Sequence, residues 1–175
     1  MAKILHERMT VDEREEFVVL LIGMRINRWW KVHKWFPVAW SMRRMVRQLG
    51  AMPRDSGYLG GEYRTVGNPI VFVQYWRSYD RLEAYAANRE LAHQPMWGWF
   101  FKAIALKGDV GIYHEAYRIA PGNYESVYLN MPAFGLGRIF DLVPAARGMK
   151  TSRGRMDKLR EPSHAAAAET ATEIA

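Results

Sequence analysis

The stretch that most constrains this chain is FVVLLIGM, residues 17–24, within EFVVLLIGMRINR. Its apolar residues are branched or long and show no three-to-four spacing, so the run reads as a strand rather than a helix. The pleat places Val18, Leu20, Ile22 and Met24 on one side and Phe17, Val19 and Leu21 on the other. A strand that is apolar on both sides belongs in a sheet with both faces covered. The chain's own helices can cover one face. At about 25 cal/mol per Å² of apolar surface, leaving the other in water would cost many kcal/mol. The sequence therefore predicts a second copy packed against that face, in a two-fold homodimer.

The segments after it alternate in character. Pro37 suits a first helical turn, and Val38, Met42, Met45, Val46 and Leu49 recur at helical spacing opposite Arg43, Arg44 and Arg47. GYLGGEYRTVGNPIVFVQYWRS divides into two strands at VGNP, a turn signal. YDRLEAYAANRELAHQPMWGWFFKAIALKGD, residues 79–109, reads as helical again, with Asp80 as its expected cap and a break at HQP, where the residue before Pro95 is pushed out of the helical region. VGIYHEAYRI and YESVYLN read as further strands. Strand, helix, strand, strand, helix, strand is the split βαβ, ferredoxin-like order of an α+β fold, with both helices on one face of an antiparallel sheet. The expected organisation is an irregular arm over residues 1–15, one domain over 16–145, and a basic, then Ala-rich, loosely held tail over 146–175.

Composition narrows the chemistry by exclusion. The chain has no cysteine, which removes disulfides, thiolate metal sites and a cysteine nucleophile, and fits a reducing, cytoplasmic setting. No run approaches the ~20 apolar residues of a bilayer span, and no signal peptide is visible. The formal charge is +7, but the cations are scattered and no nucleic-acid motif accompanies them, so no specific nucleic-acid partner is expected. There is no H-x-x-x-H or carboxylate cluster for a metal, no G-x-S-x-G elbow, and GYLGGEY lacks the spacing of a dinucleotide fingerprint.

Several long motifs carry a family resemblance: FVVLLIGMRINRWWKVHKWFPV, VQYWRSYDRLEAYA, HQPMWGWFFKA, VGIYHEAYRI and YESVYLNMPAFGL. Over residues 16–140 the chain resembles the antibiotic-biosynthesis-type monooxygenases of the dimeric α+β barrel superfamily, within them the family that includes the fumagillin-pathway oxygenase. The resemblance implies an oxidoreductase that acts on a hydrophobic small molecule in an interior pocket, without a metal. The superfamily also holds haem enzymes such as aldoxime dehydratases, so a haem-dependent enzyme and a non-catalytic ligand-binding barrel are the alternatives. Fold alone does not choose among them.

His114 and Glu115 sit side by side in the middle of a strand, so they point to opposite faces and cannot form a dyad. Arg25, Gln74, Trp76 and His114 are expected to share one apolar cavity between the sheet and partner elements, with Phe72 beside them. In the functional reading, His114 is a general base and Arg25 stabilises the resulting enolate or phenolate, which reacts with dioxygen. Gln74, Trp76, Phe72, His93 and Trp97 would line the substrate site. In the alternative, His114 only hydrogen-bonds a carbonyl or tyrosine hydroxyl, and Arg25 pairs with Glu115 or Glu62. If haem were bound, His93 or His114 would be its axial ligand. Trp29, Trp30, Trp35 and Trp40 are expected in the core or a dimer contact rather than on substrate.

Overall fold

A computed structural model describes residues 3–65, 67–88, 90, 98–100 and 107–161. The chain divides into two compact units, one of Phe17–Arg118 and one of Met1–Glu16 with Ile119–Ala175. The named elements are β1 (Met9–Val11), β2 (Phe17–Ile26), α1 (Val32–Gly50), β3 (Tyr58–Thr65), β4 (Ile70–Trp76), α2 (Tyr79–Ala87), β5 (Val110–Ile119), β6 (Leu142–Pro144) and α3 (Ser152–Arg160).

In the first unit the sheet order is β3-β4-β2-β5, and β4 runs antiparallel to both its neighbours. With α1 after β2 and α2 after β4, this is the ferredoxin-like α+β arrangement expected from the element order. The described residues form an open sheet, not a closed barrel. The register pairs Leu20 with Gln74 and Ile22 with Phe72, so even-numbered residues of β2 share a face with even-numbered residues of β4. That face carries the helices. Val18, Leu20, Ile22, Phe72 and Trp76 pack there against Met45 and Leu49 of α1 and Leu82 and Tyr85 of α2. Towards the other end of the sheet, Met24, Ile26 and Val110 meet Val38 and Phe100.

Three local expectations change. α1 begins at Val32, so Pro37 stands inside the helix rather than in its first turn. Its start is braced by aromatic contacts, with Trp35 Nε1 donating to the Trp29 carbonyl at 2.9 Å. The cap of α2 is Ser78, whose Oγ accepts from Arg81 N at 3.3 Å, and Asp80 lies in the first turn. Trp29, Trp30 and Trp40 are exposed in the single chain, so of the core or dimer contact expected for them the core is removed. The residues between β3 and β4 also hold the neighbouring strand. Asn68 Nδ2 donates to the Ile26 carbonyl at 2.7 Å and its Oδ1 accepts from Ile26 N at 3.3 Å, which closes the end of β2.

Gly23 is the tightest point of the central strand. A Cβ there would stand 2.5 Å from the Tyr113 ring and 2.8 Å from the Ile70 carbonyl oxygen, and backbone cannot step aside as a side chain can. Gly23→Ala is expected to destabilise the protein by about 1–3 kcal/mol, read as a lower urea midpoint with the slope unchanged.

The second unit joins the two ends of the chain. β1 pairs antiparallel with β6, Thr10 opposite Val143. The Tyr124 hydroxyl accepts from Glu13 N and donates to the Glu13 carbonyl, both at 2.9 Å. Residues 1–15 therefore include a paired strand rather than only an irregular arm. Tyr124–Asn130, expected as a strand, makes an isolated bridge from Tyr128 to Met9 instead. The tail from Ser152 is helical as far as Arg160, against the expectation of loose chain. Thr151 caps it by accepting from Gly154 N at 3.1 Å. Buried Arg155 ties it down by donating to Glu125 Oε2 at 2.7 Å and to the Met149 carbonyl at 3.1 Å.

Candidate functional site

Between the helix-bearing face of the sheet and α2 lies a hollow of about 190 Å³. Leu20, Ile22, Met45 and Leu82 give it an apolar wall, while Gln74, Tyr85 and His114 bring polar groups to it. Tyr79, exposed on α2, and Glu83, one turn further along, stand at its rim. An apolar hollow with a few convergent polar groups is the usual form of a small-molecule site.

Each polar group is set by its element. His114 projects from β5 on the same side as Ile112, which packs with Met24 and Ile26 under α1. Its ring is exposed on its outer side, yet the surrounding chain holds its pKa below the ordinary histidine value by desolvation. The imidazole is therefore neutral near pH 7, with a nitrogen lone pair available. Gln74 is buried, and its Oε1 accepts from Trp76 Nε1 at 3.0 Å. That bond fixes the amide and leaves its NH₂ as the group able to donate into the hollow. Trp76 is clamped between Tyr58 and Tyr85, with ring centroids 5.3 Å from each. Burial, with the neighbouring Tyr58 adding to it, pushes the Tyr85 hydroxyl up to about 12, so it stays protonated as a donor.

The residues singled out in the sequence separate into four groups. His114 and Gln74 meet in the hollow. Trp76 and Phe72 share their sheet face but are core: Trp76 backs Gln74, and Phe72 packs on Tyr63 with centroids 4.9 Å apart. Arg25 does not join them. It is exposed, its Cβ lies beside Gly111, and it shares the opposite face with Tyr113, whose ring crowds Gly23. The hollow also lies between the sheet and the chain's own helices, not between the sheet and partner elements as expected. His93 and Trp97 fall outside the described residues. Glu115 points away from His114 and accepts a hydrogen bond from the Tyr117 hydroxyl at 2.7 Å.

Tyr85, Tyr79 and Glu83 were missed in the sequence. Tyr85 was legible in principle, since it follows Leu82 by three positions on the inner face of a short helix.

Among the described residues no cluster of three His, Cys, Asp or Glu could hold a metal ion. Haem does not fit beside His114 as these residues stand. At about 190 Å³ the hollow is below the ~300–1,000 Å³ of drug-sized ligand sites, and a porphyrin is a large ligand. An empty apolar cavity of roughly 150 Å³ accepts benzene, so this one is sized for a single ring.

Comparison with known proteins adds the following. The sequence profile of the monooxygenase af470-like family matches residues 17–136. No curated protein matches the chain. Among solved structures, an aldoxime dehydratase superposes with a TM-score of 0.64 at 15% identity, over 83% of this chain and 45% of that one. This chain thus spans less than half of that enzyme, and the likeness extends to the fold alone. SnoaB, a cofactor-independent oxygenase from Streptomyces nogalater, matches at a TM-score of 0.37 and 13% identity, over 58% of this chain and 91% of that one. A monooxygenase from the gene ActVA-Orf6 of Streptomyces coelicolor, in complex with nanaomycin D, matches at 0.32 and 20%, over 61% and 91%. Scores this low carry no argument about the site. Among the described residues no helix is long and apolar enough to cross a membrane.

Proposed function

Because the chain belongs to the monooxygenase af470-like family, we propose that it transfers one atom of dioxygen to a small hydrophobic molecule held beside His114. The observation that carries this reading is the 190 Å³ hollow in which the His114 imidazole and the Gln74 amide, oriented by Trp76, face an apolar wall. The part of the substrate inside it is about one aromatic ring in size. Any remainder extends past Tyr79 and Glu83.

His114 removes a proton from an activated CH₂ or from a phenol, which is within reach of a general base of near-neutral pKa. The Gln74 amide and the Tyr85 hydroxyl donate to the oxygen on which the negative charge collects, the task first assigned to Arg25. The anion reduces dioxygen and bonds to one of its atoms, giving a peroxide on the substrate carbon. Loss of the second hydrogen and cleavage of the O–O bond leave a carbonyl on the substrate. The departing hydroxide takes the proton held by His114 and leaves as water. Overall R₂CH₂ and O₂ give R₂CO and H₂O, so the substrate supplies the electrons and no metal or external reductant enters the balance.

The sheet face opposite the helices suits a homodimer. Val19, Leu21, Val73 and Tyr113 are half-buried there in the single chain.

The test is oxygen uptake by metal-free protein on phenols, quinols and small ketones, followed as a function of pH. The sign follows from the lowered His114 pKa: the base is competent when unprotonated, so kcat/KM should be flat at neutral pH. It should fall on acidification through a value below 6.5, the ordinary histidine pKa. An acid limb at or above 6.5, or an unchanged limb in His114→Gln, would contradict the assignment.

A further inference from the structure

We propose that the outward face of α1 is a docking surface for an anionic lipid bilayer. This rests on observations separate from the oxygenase reading. Val38, Met45 and Leu49 of α1 turn into the core, whereas Val32, Phe36 and Trp40 are 50, 53 and 56% exposed. At 100° per residue Val32, Phe36, Trp40, Arg43 and Arg47 fall on a single stripe, with Arg44 at its edge. Trp29 and Trp30, just before the helix, are 54 and 76% exposed.

Trp29, Phe36 and Trp40 are joined with Trp35 in a chain of ring contacts. Trp29 meets Trp35 edge-on at 5.9 Å, Trp35 meets Phe36 at 6.2 Å, and Phe36 stacks on Trp40 at 6.3 Å. A surface that keeps large rings ordered in water has little rotamer entropy left to lose on binding.

Charge selects the occupant. Residues 17–54 hold eight Lys or Arg and no Asp or Glu. Arg28 and Lys31 are engaged by buried Asp109, at 2.9 and 3.0 Å. Lys34, Arg43, Arg44 and Arg47 have no ion pair among the described residues. Trp40, Arg43, Arg44 and Arg47 line a surface hollow of about 330 Å³ at the end of the aromatic ridge.

Cations beside exposed Trp and Phe on one helical face match the two layers of a bilayer boundary. Arginines reach phosphate, and indole and phenyl rings enter the acyl margin. The dimer face proposed above lies on the other side of the sheet and does not compete for this surface. An apolar substrate that partitions into lipid would meet the protein there.

The experiment is sedimentation of the full chain with vesicles of phosphatidylcholine plus phosphatidylglycerol, and with phosphatidylcholine alone. Tryptophan emission is followed in parallel. Binding to the mixed vesicles with a blue shift, weakened by high sodium chloride, is expected. Each basic residue at an anionic surface contributes about fivefold, so Arg43→Gln/Arg44→Gln/Arg47→Gln should weaken binding by about a hundredfold. Phe36→Ser/Trp40→Ser should abolish the blue shift, and circular dichroism confirms that both variants fold. All these substitutions are on the exposed face, and a variant that does not fold is replaced by Arg44→Gln with Phe36→Ser.

Three results overturn the proposal. One is no sedimentation with mixed vesicles. Another is equal binding to both vesicle types. The last is binding that inorganic phosphate or a short single-stranded DNA displaces at low concentration while the aromatic variant binds as well as the native chain.

Discussion

His114→Gln is expected to lower kcat by about 10²–10⁴-fold while leaving the melting temperature near that of the native chain. The two halves of this expectation have different origins. The ring stands on β5 with one side exposed, so glutamine removes no buried packing and creates no large void. Glutamine keeps polarity and approximate bulk but has no lone pair basic enough to accept a proton at neutral pH. The paired measurement is oxygen uptake at saturating substrate and thermal melting by circular dichroism. A folded variant with full turnover would leave His114 a wall residue and end the oxygenation chemistry proposed for it.

Trp76→Ala is expected to be the most damaging change to stability. The side chain is fully buried in the main core, in contact with two tyrosine rings. Large-to-small changes of this kind cost about 3–5 kcal/mol, which at about 2–4 °C per kcal/mol lowers the melting temperature by roughly 6–20 °C. Trp76→Phe separates packing from positioning. Phenylalanine keeps most of the ring but removes the N–H that holds Gln74 Oε1, so the Gln74 amide can turn. A modest loss of stability with a clear loss of kcat is expected. Unchanged kcat in Trp76→Phe would show that the Gln74 amide needs no partner to act.

How far these features were legible in the sequence depends on which physical constraint is local. Strand parity is local, and it separated His114 from Glu115 correctly. The element order is nearly local, and it gave the ferredoxin-like sheet. Arg25 is the instructive error. It was grouped correctly with Val19 and Leu21, but joining it to Gln74 required the register between β2 and β4. That register pairs Leu20 with Gln74; a slip of one residue would have brought Arg25 onto the helical face. Because both sides of β2 are apolar, the sequence held no signal for which side the helices cover.

The α3 helix was missed for another reason. Its stretch SRGRMDKLR is dominated by charge, and what anchors it is Arg155 on Glu125, a residue about thirty positions away. For Trp29, Trp30 and Trp40 the expectation was a place in the core or in a dimer contact, and their exposure in the single chain removes only the first; of the four tryptophans around the start of α1, Trp35 is the one turned towards the second core cluster.

The pairing of β1 with β6 has a consequence for synthesis. Met9 bridges Tyr128 and lies opposite Pro144, so the first strand has no partner until residue 128 has been made and is paired along its length only after residue 144. Residues 17–118, by contrast, form a continuous segment able to collapse while translation proceeds. The early segment waits in solution with its edge unpaired, and a stalled or prematurely terminated product would carry that open edge as its most adhesive feature.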